Sequence, residues 1–157
     1  MLTSAQAAAL NEWRQMGLRV VFTNGCFDVL HAGHIKLLRE ARSFGDRLVV
    51  GLNTDASVRR LKGKGRPVVP LADRIAVLEA IRWVDLVIPF PQETPARLIE
   101  QVRPDVLVKG AEYRGKDIIG AAFVRSYGGS VELVTMARGK STSNILALLK
   151  KKPVPKG

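Results

Sequence analysis

A single cysteine, Cys26, occurs in the 157 residues. No disulfide can close within the chain, and the composition suits a reducing, cytoplasmic setting. Histidine is equally scarce: His31 and His34 are the only two, and the HExxH spacing is absent. A catalytic zinc site is therefore poorly supplied with ligands. No apolar run approaches the ~20 residues that a membrane-spanning helix needs. The opening Met1-Leu2-Thr3-Ser4-Ala5-Gln6 lacks a basic stretch followed by an apolar one, so no secretory leader is expected. Aromatic residues make up only 6 %, and no nucleic-acid-binding motif appears, which weighs against nucleic acid as a partner. Gly139-Lys140-Ser141-Thr142 looks like the end of a P-loop, but the glycine that motif requires is Val134 here. Acidic residues are outnumbered, with 14 Asp and Glu against 25 Lys and Arg, a formal net charge of +11.

That excess of positive charge favours anionic partners: nucleic acid, an acidic membrane surface, or phosphorylated small molecules. A basic nucleic-acid-binding module is thus one reading of the chain. Part of the charge is Lys150, Lys151, Lys152 and Lys156, in a Pro-containing tail over 150–157 that is expected to be disordered. A second cluster, Arg59, Arg60, Lys62, Lys64 and Arg66, lies in or beside a Gly- and Pro-rich loop.

The remainder, 1–149, fits one domain with a sizeable core. Thr3 and Gln6 have capping-box spacing ahead of a first helix carrying Leu10 and Trp13 on one face. Short Val- and Leu-rich runs then alternate with helical patterns. Strands are expected at 19–22, 48–52, 85–89, 106–108 and 131–134. Helices are expected after His31 (burying Leu37, Leu38, Ala41 and Phe44, and ended by Gly45), from a cap at Asp55 to Leu61, over 72–82, from Thr94-Pro95 with Pro at its first position, over 118–127 and over 141–149. Continuous apolar strands suit burial on both faces. Alternation with helices implies right-handed crossovers and a parallel sheet, hence a Rossmann-like three-layer α/β sandwich with five parallel strands. No internal repeat is visible. Ligands of such sheets bind beyond the carboxyl ends of the strands.

His31-Ala32-Gly33-His34 falls at such an end. It follows the strand Val20-Val21-Phe22 through the turn 23–28 and opens a helix. A helix N-terminus offers free N–H groups and partial positive charge. Two imidazole donors there can hold the oxygens of a reacting phosphoryl group.

Gly25-Cys26-Phe27-Asp28-Val29-Leu30-His31-Ala32-Gly33-His34 resembles the GxFDxxHxGH signature of the cytidylyltransferase-like nucleotidyltransferases. The resemblance extends over residues 18–149. Asn53-Thr54-Asp55-Ala56-Ser57-Val58, Arg66-Pro67, Asp73-Arg74 and Lys109-Gly110 are more similar still to one subfamily, the D-glycero-β-D-manno-heptose 1-phosphate adenylyltransferases, which make ADP-heptose for lipopolysaccharide. The resemblance implies attack of a sugar 1-phosphate oxygen on the α-phosphorus of ATP, with Mg2+, and a homodimer with no membrane or nucleic-acid partner. A cytidylyltransferase acting on glycerol 3-phosphate or a related alcohol phosphate is the alternative within the family.

The same resemblance assigns residues. Catalytic roles fall to His31, His34, Lys64 and Arg74. Nucleotide contacts fall to Asn24, Gly25, Cys26, Phe27, Gly33, Lys109 and Gly110, and to Ser141, Thr142 and Ser143 at a helix start. Substrate contacts fall to Asp28, Asn53, Asp55 and Glu112. Plain structural alternatives stand beside these: a turn cap for Asp28, a helix cap for Asp55, a surface ion pair for Arg74. A helix N-terminus contributes at most ~2 kcal/mol, whereas enzymatic acceleration needs roughly 8 kcal/mol or more. Histidines, cations and Mg2+ must therefore act together. Two departures from the subfamily are visible: Ala111-Glu112 stands where Gly-Asp is usual, and Arg138 and Lys140 flank Gly139.

Overall fold

The structure, a computed structural model, describes residues 2–135. Its elements follow the alternation of the sequence: α1 (Ser4–Gln15), β1 (Val20–Gly25), α2 (Ala32–Arg42), β2 (Arg47–Asn53), α3 (Asp55–Lys62), α4 (Leu71–Glu79), β3 (Leu86–Phe90), α5 (Ala96–Val102), β4 (Val106–Gly110), a 3₁₀ turn (Ala111–Tyr113), α6 (Ala121–Ser126) and β5 (Ser130–Val134). The strands form one parallel sheet in the order β3-β2-β1-β4-β5. The chain winds outward from β1 to β3, then returns to the other side of β1 for β4 and β5. The strand order reverses between β1 and β4.

Strand side chains alternate between two apolar layers, as a period of two requires. Val21, Leu48, Val50, Leu52 and Val108 pack with Leu37, Leu38 and Ala41 of α2 and Leu78 of α4. Val20, Phe22, Val49, Ile88 and Leu107 pack with Leu10 of α1, with Leu98, Ile99 and Val102 of α5 and with Val124 of α6. The sheet is thus covered on both faces, and its ligands must approach along an edge of strand ends.

The amino-terminal edge is closed by the protein's own carboxylates. Asp46 accepts from the Arg19 amide at 2.8 Å, Asp85 from the Leu48 amide at 2.8 Å and Asp105 from the Val20 amide at 2.7 Å. Arg42 and Arg47 pair with Asp85. The carboxyl edge carries the loops that open into α2, α3 and α5.

Local readings differ from the structure in ways that have physical causes. The capping box at Thr3 and Gln6 is present. α2 stops at Arg42 with Ser43 as its C-cap, so Gly45 lies beyond the end that it was expected to form. Asp55 is the first residue of α3, and Thr54 is the N-cap. Pro95 is the N-cap of α5, one place before its expected position. α6 begins at Ala121, three residues after its expected start, because Gly120 is left-handed at φ 88°. β1 and β4 run further than expected, to Gly25 and Gly110, and so carry Asn24 and Lys109 on the sheet itself. The helix expected over 141–149, the tail over 150–157 and Arg138, Lys140, Ser141, Thr142 and Ser143 lie outside the described residues.

Candidate active site

The ends of β1, β2 and β4 meet at a cleft of about 460 Å³, centred where the strand order reverses. Open α/β sheets bind ligands at such a point. Thr23, Asn24, Gly25 and Cys26 line it from β1 and the following turn. Asn53 lines it from β2, Lys62 from α3, Glu93 and Pro95 from the β3–α5 loop. Lys109, Gly110, Glu112, Tyr113 and Asp117 line it from β4 and beyond. Lys109 Nζ donates to Asn24 Oδ1 across the gap between the diverging strands. Lys109 is 7 % exposed. Burial pulls its ammonium down to about 8, against the opposing pull of Glu112. Its charge is therefore retained at neutral pH, close to its point of loss.

His31 and His34 are not among the residues that line this cleft; they follow its Cys26 by five and eight residues, at the start of α2. His31 is the N-cap of α2, and its Nδ1 accepts from the Gly33 amide at 3.1 Å. Accepting at Nδ1 places the proton of the neutral ring on Nε2. The two imidazoles stack with centroids 3.9 Å apart, and the Phe27 ring lies tilted 5.1 Å from His34. Phe27 has φ 43°, an uncommon conformation for an aromatic residue. Its ring is buried in the core, which offsets the local cost and fixes the turn. Burial, with a smaller contribution from His31, lowers His34 from 6.5 to about 4, so it is neutral at physiological pH. His34 Nδ1 is buried with no hydrogen-bond partner among the described residues.

A depressed histidine makes stability depend on pH. Between 6.5 and about 4 the unfolded chain binds a proton that the folded His34 resists. Stability is full above 6.5 and is expected to fall by up to about 3 kcal/mol as pH drops toward 4. Urea unfolding at neutral pH and at mildly acid pH checks this, and His34→Asn should flatten that part of the profile.

Several expected ligand contacts are instead engaged inside the protein. Arg74 is 1 % exposed. Its guanidinium donates to Cys26 O (2.6 Å), Asn53 O (2.8 Å), Val69 O (3.0 Å) and Asp55 Oδ1 (2.6 Å). It is not a surface pair but a strut joining the ends of β1 and β2 to the start of α4. Asp55 accepts from the Leu71 amide with its other oxygen at 3.3 Å, so it also ties this strut to the start of α4. Asp28, 3 % exposed, accepts from the Val68 and Val69 amides at 2.8 and 2.9 Å and from Arg66 Nε at 2.6 Å. It latches the basic loop to the histidine turn. The Phe27 side chain belongs to the core, and the Gly33 amide belongs to His31.

Asn24, Gly25, Cys26, Asn53, Lys109, Gly110 and Glu112 do meet at the cleft. Asn53 is held by Ser57 Oγ at 2.9 Å. Burial, opposed by Lys62, Arg74 and Arg66, raises the Cys26 thiol, so it is a protonated neighbour of the ligand space rather than a thiolate. Lys64 is exposed on the turn Gly63–Gly65, whose glycines have φ 88° and 82°. Sequence reasoning missed Glu93 and Asp117. The signal for Glu93 was its place just past the carboxyl end of β3, the edge where ligands were already expected.

The sequence profile of one family, described as cytidylyltransferase-like, matches residues 22–146. The chain belongs to the cytidylyltransferase-like family of nucleotidyltransferases. This family member is 56 % identical over 142 residues to the "Bifunctional protein HldE" of Geotalea uraniireducens, covering 90 % of this chain and 29 % of that protein. It is 50 % identical over 144 residues to the protein of the same name from Pseudomonas aeruginosa strain PAO1, covering 92 % and 30 %. The chain thus spans under a third of the length of these relatives. Its fold is similar to the crystal structure of the lipopolysaccharide core biosynthesis protein from Thermoplasma volcanium GSS1. That match has a TM-score of 0.64 and 26 % identity, over 79 % of this chain and all of that one. Among the described residues, no helix of this cytidylyltransferase-like protein is long and apolar enough to cross a membrane.

Proposed function

We propose that the chain, with residues 1–149 as one catalytic domain, transfers AMP from ATP to D-glycero-β-D-manno-heptose 1-phosphate. The products are ADP-heptose, for lipopolysaccharide core synthesis, and pyrophosphate. The observation that carries this reading is the stacked pair His31 and His34 on the turn that leads from the cleft-lining Cys26 into α2, in a chain similar over most of its length to proteins named HldE. An oxygen of the sugar phosphate attacks the α-phosphorus, the bond to the β-phosphate bridging oxygen breaks, and pyrophosphate leaves with that electron pair. His31, through Nε2–H, and neutral His34 donate to the α-phosphoryl oxygens. Lys109, Lys64 and Lys62 offset the accumulating negative charge. Arg74, Asp55 and Asp28 act indirectly, by holding the loops that present these groups. Ser141, Thr142 and Ser143 supply hydroxyls and amides to the ATP phosphates. Mg2+ enters with ATP as part of the substrate. The proposed enzyme works in the cytoplasm as a homodimer; the exposed Val68 and Val77, before and on α4, suit an apolar contact between copies.

A substrate panel tests the reading. The protein is incubated with each nucleoside triphosphate, Mg2+ and the heptose 1-phosphate, and pyrophosphate is assayed. Release with ATP alone is expected. Release only with CTP and glycerol 3-phosphate would replace the proposal with the cytidylyltransferase alternative. No turnover, with salt-sensitive binding to DNA or RNA, would favour the nucleic-acid module.

A further inference from the structure

The cleft holds an arrangement of charge that the phosphate chemistry does not use. In a chain of net charge +11, it is lined by three carboxylates, those of Glu93, Glu112 and Asp117. Glu93 stands on the loop after β3, and Asp117 on the loop after β4. Both loops lead to the face of the sheet covered by α5 and α6, opposite the face of α2 and the histidines. Asp117 also borders a smaller depression shared with Ala96 and Glu100 of α5, which places it beside the helix that Glu93 precedes. Neither carboxylate has a hydrogen-bond or ion-pair partner among the described residues. Thr23 lines the same cleft at 1 % exposure, and its Oγ1 is buried without a partner among the described residues.

Phosphate oxygens would be repelled by such carboxylates, whereas hydroxyl groups donate to them. Carboxylates accept charge-assisted hydrogen bonds and are well placed to take paired hydroxyls. The two sides of the cleft therefore suit an acceptor with an anionic head toward α2 and a hydroxyl-rich body toward α5. We propose that Glu93 and Asp117 are specificity-determining residues that accept hydrogen bonds from the hydroxyls of a polyhydroxylated acceptor, with Thr23 Oγ1 offering a further contact at the floor. This rests on the reading of the chain as a sugar-phosphate nucleotidyltransferase and deepens it. It names where the sugar lies.

The sign of the effect makes the test decisive. Were these carboxylates only part of the surface field, removing them would ease approach of an anionic acceptor and lower its KM. Hydroxyl recognition demands the reverse. Steady-state kinetics of the full chain with MgATP and D-glycero-β-D-manno-heptose 1-phosphate compare wild type with Glu93→Ala, Asp117→Ala and the double variant. Both positions are exposed, so the fold should survive. A similar melting temperature across the set checks that. The sugar-phosphate KM is expected to rise about tenfold for each single variant, as for loss of one charge-assisted hydrogen bond. It should rise roughly 100-fold for the pair, with the KM for ATP within about twofold of wild type. An unchanged or lowered sugar-phosphate KM, or parallel rises for both substrates, would overturn the assignment. Absence of turnover in wild type is a separate result. It refutes the proposed reaction, and the assignment falls with it.

Discussion

Replacing Arg74 by alanine is expected to lower the unfolding free energy by about 3–5 kcal/mol, because it strips the donor from three backbone carbonyls, at roughly 1–3 kcal/mol for each that is left unsatisfied. Domains of this kind have only about 5–15 kcal/mol in total, so the variant should unfold at much lower urea. Arg74 is 1 % exposed and makes four hydrogen bonds within the protein. Truncation leaves the carbonyls of Cys26, Asn53 and Val69 without this donor, and leaves Asp55 without its cation. Lysine should recover little, because one ammonium cannot reproduce the planar fork that reaches both strand ends. A phosphate-binding arginine would behave differently: its loss would raise the KM for ATP and leave stability within about 1 kcal/mol. Urea titrations of Arg74→Ala and Arg74→Lys, with ATP kinetics under folding conditions, separate the two. Near-wild-type stability would refute the strut.

The histidines carry the second large effect. His31→Ala or His34→Ala should lower kcat by roughly 10²–10³-fold, the loss for removing a preorganised donor to a developing oxyanion. His31 has a structural duty as well, since its Nδ1 caps α2. Alanine there also costs about 1 kcal/mol of helix capping. Asparagine caps well but lacks the imidazole Nε2–H. His31→Asn should therefore keep wild-type stability while remaining as slow as His31→Ala. Recovery of turnover by asparagine would show that capping, and not donation to the phosphoryl group, is the function of His31.

What the sequence disclosed and what it hid divide along a physical line. The sheet was legible because buried parallel strands leave continuous Val and Leu runs, as in 48–52, and because glycine and proline punctuate the chain between them. The histidine turn was legible because two rare residues stood three apart after a strand. The fates of Asp28, Asp55 and Arg74 were not. Each carries a charge and lies near the expected ligand edge. Only three-dimensional contacts show that Arg74 satisfies Asp55 and three backbone carbonyls, and that Asp28 is satisfied by Arg66 and two backbone amides. Phe27 was hidden for the same reason, since its left-handed backbone follows from the core that receives its ring. Glu93 and Asp117 sit in loops of differing pattern, 24 residues apart in sequence, and nothing local links them.

The latch at Asp28 sets a limit on the basic loop. Arg66, Val68 and Val69 are held by one carboxylate, and Lys62 ends α3. Only Gly63, Lys64 and Gly65 lie between these anchors. A span this short reaches roughly 10 Å even when extended, so Lys64 swings through a few ångströms at most. Loop motions of that size take on the order of nanoseconds to microseconds, while enzyme turnovers commonly take about a millisecond to a second. This cation therefore re-equilibrates many times within each catalytic cycle. In the proposed reaction its influence on rate is set by the fraction of time it spends over the phosphates, not by the speed with which it arrives.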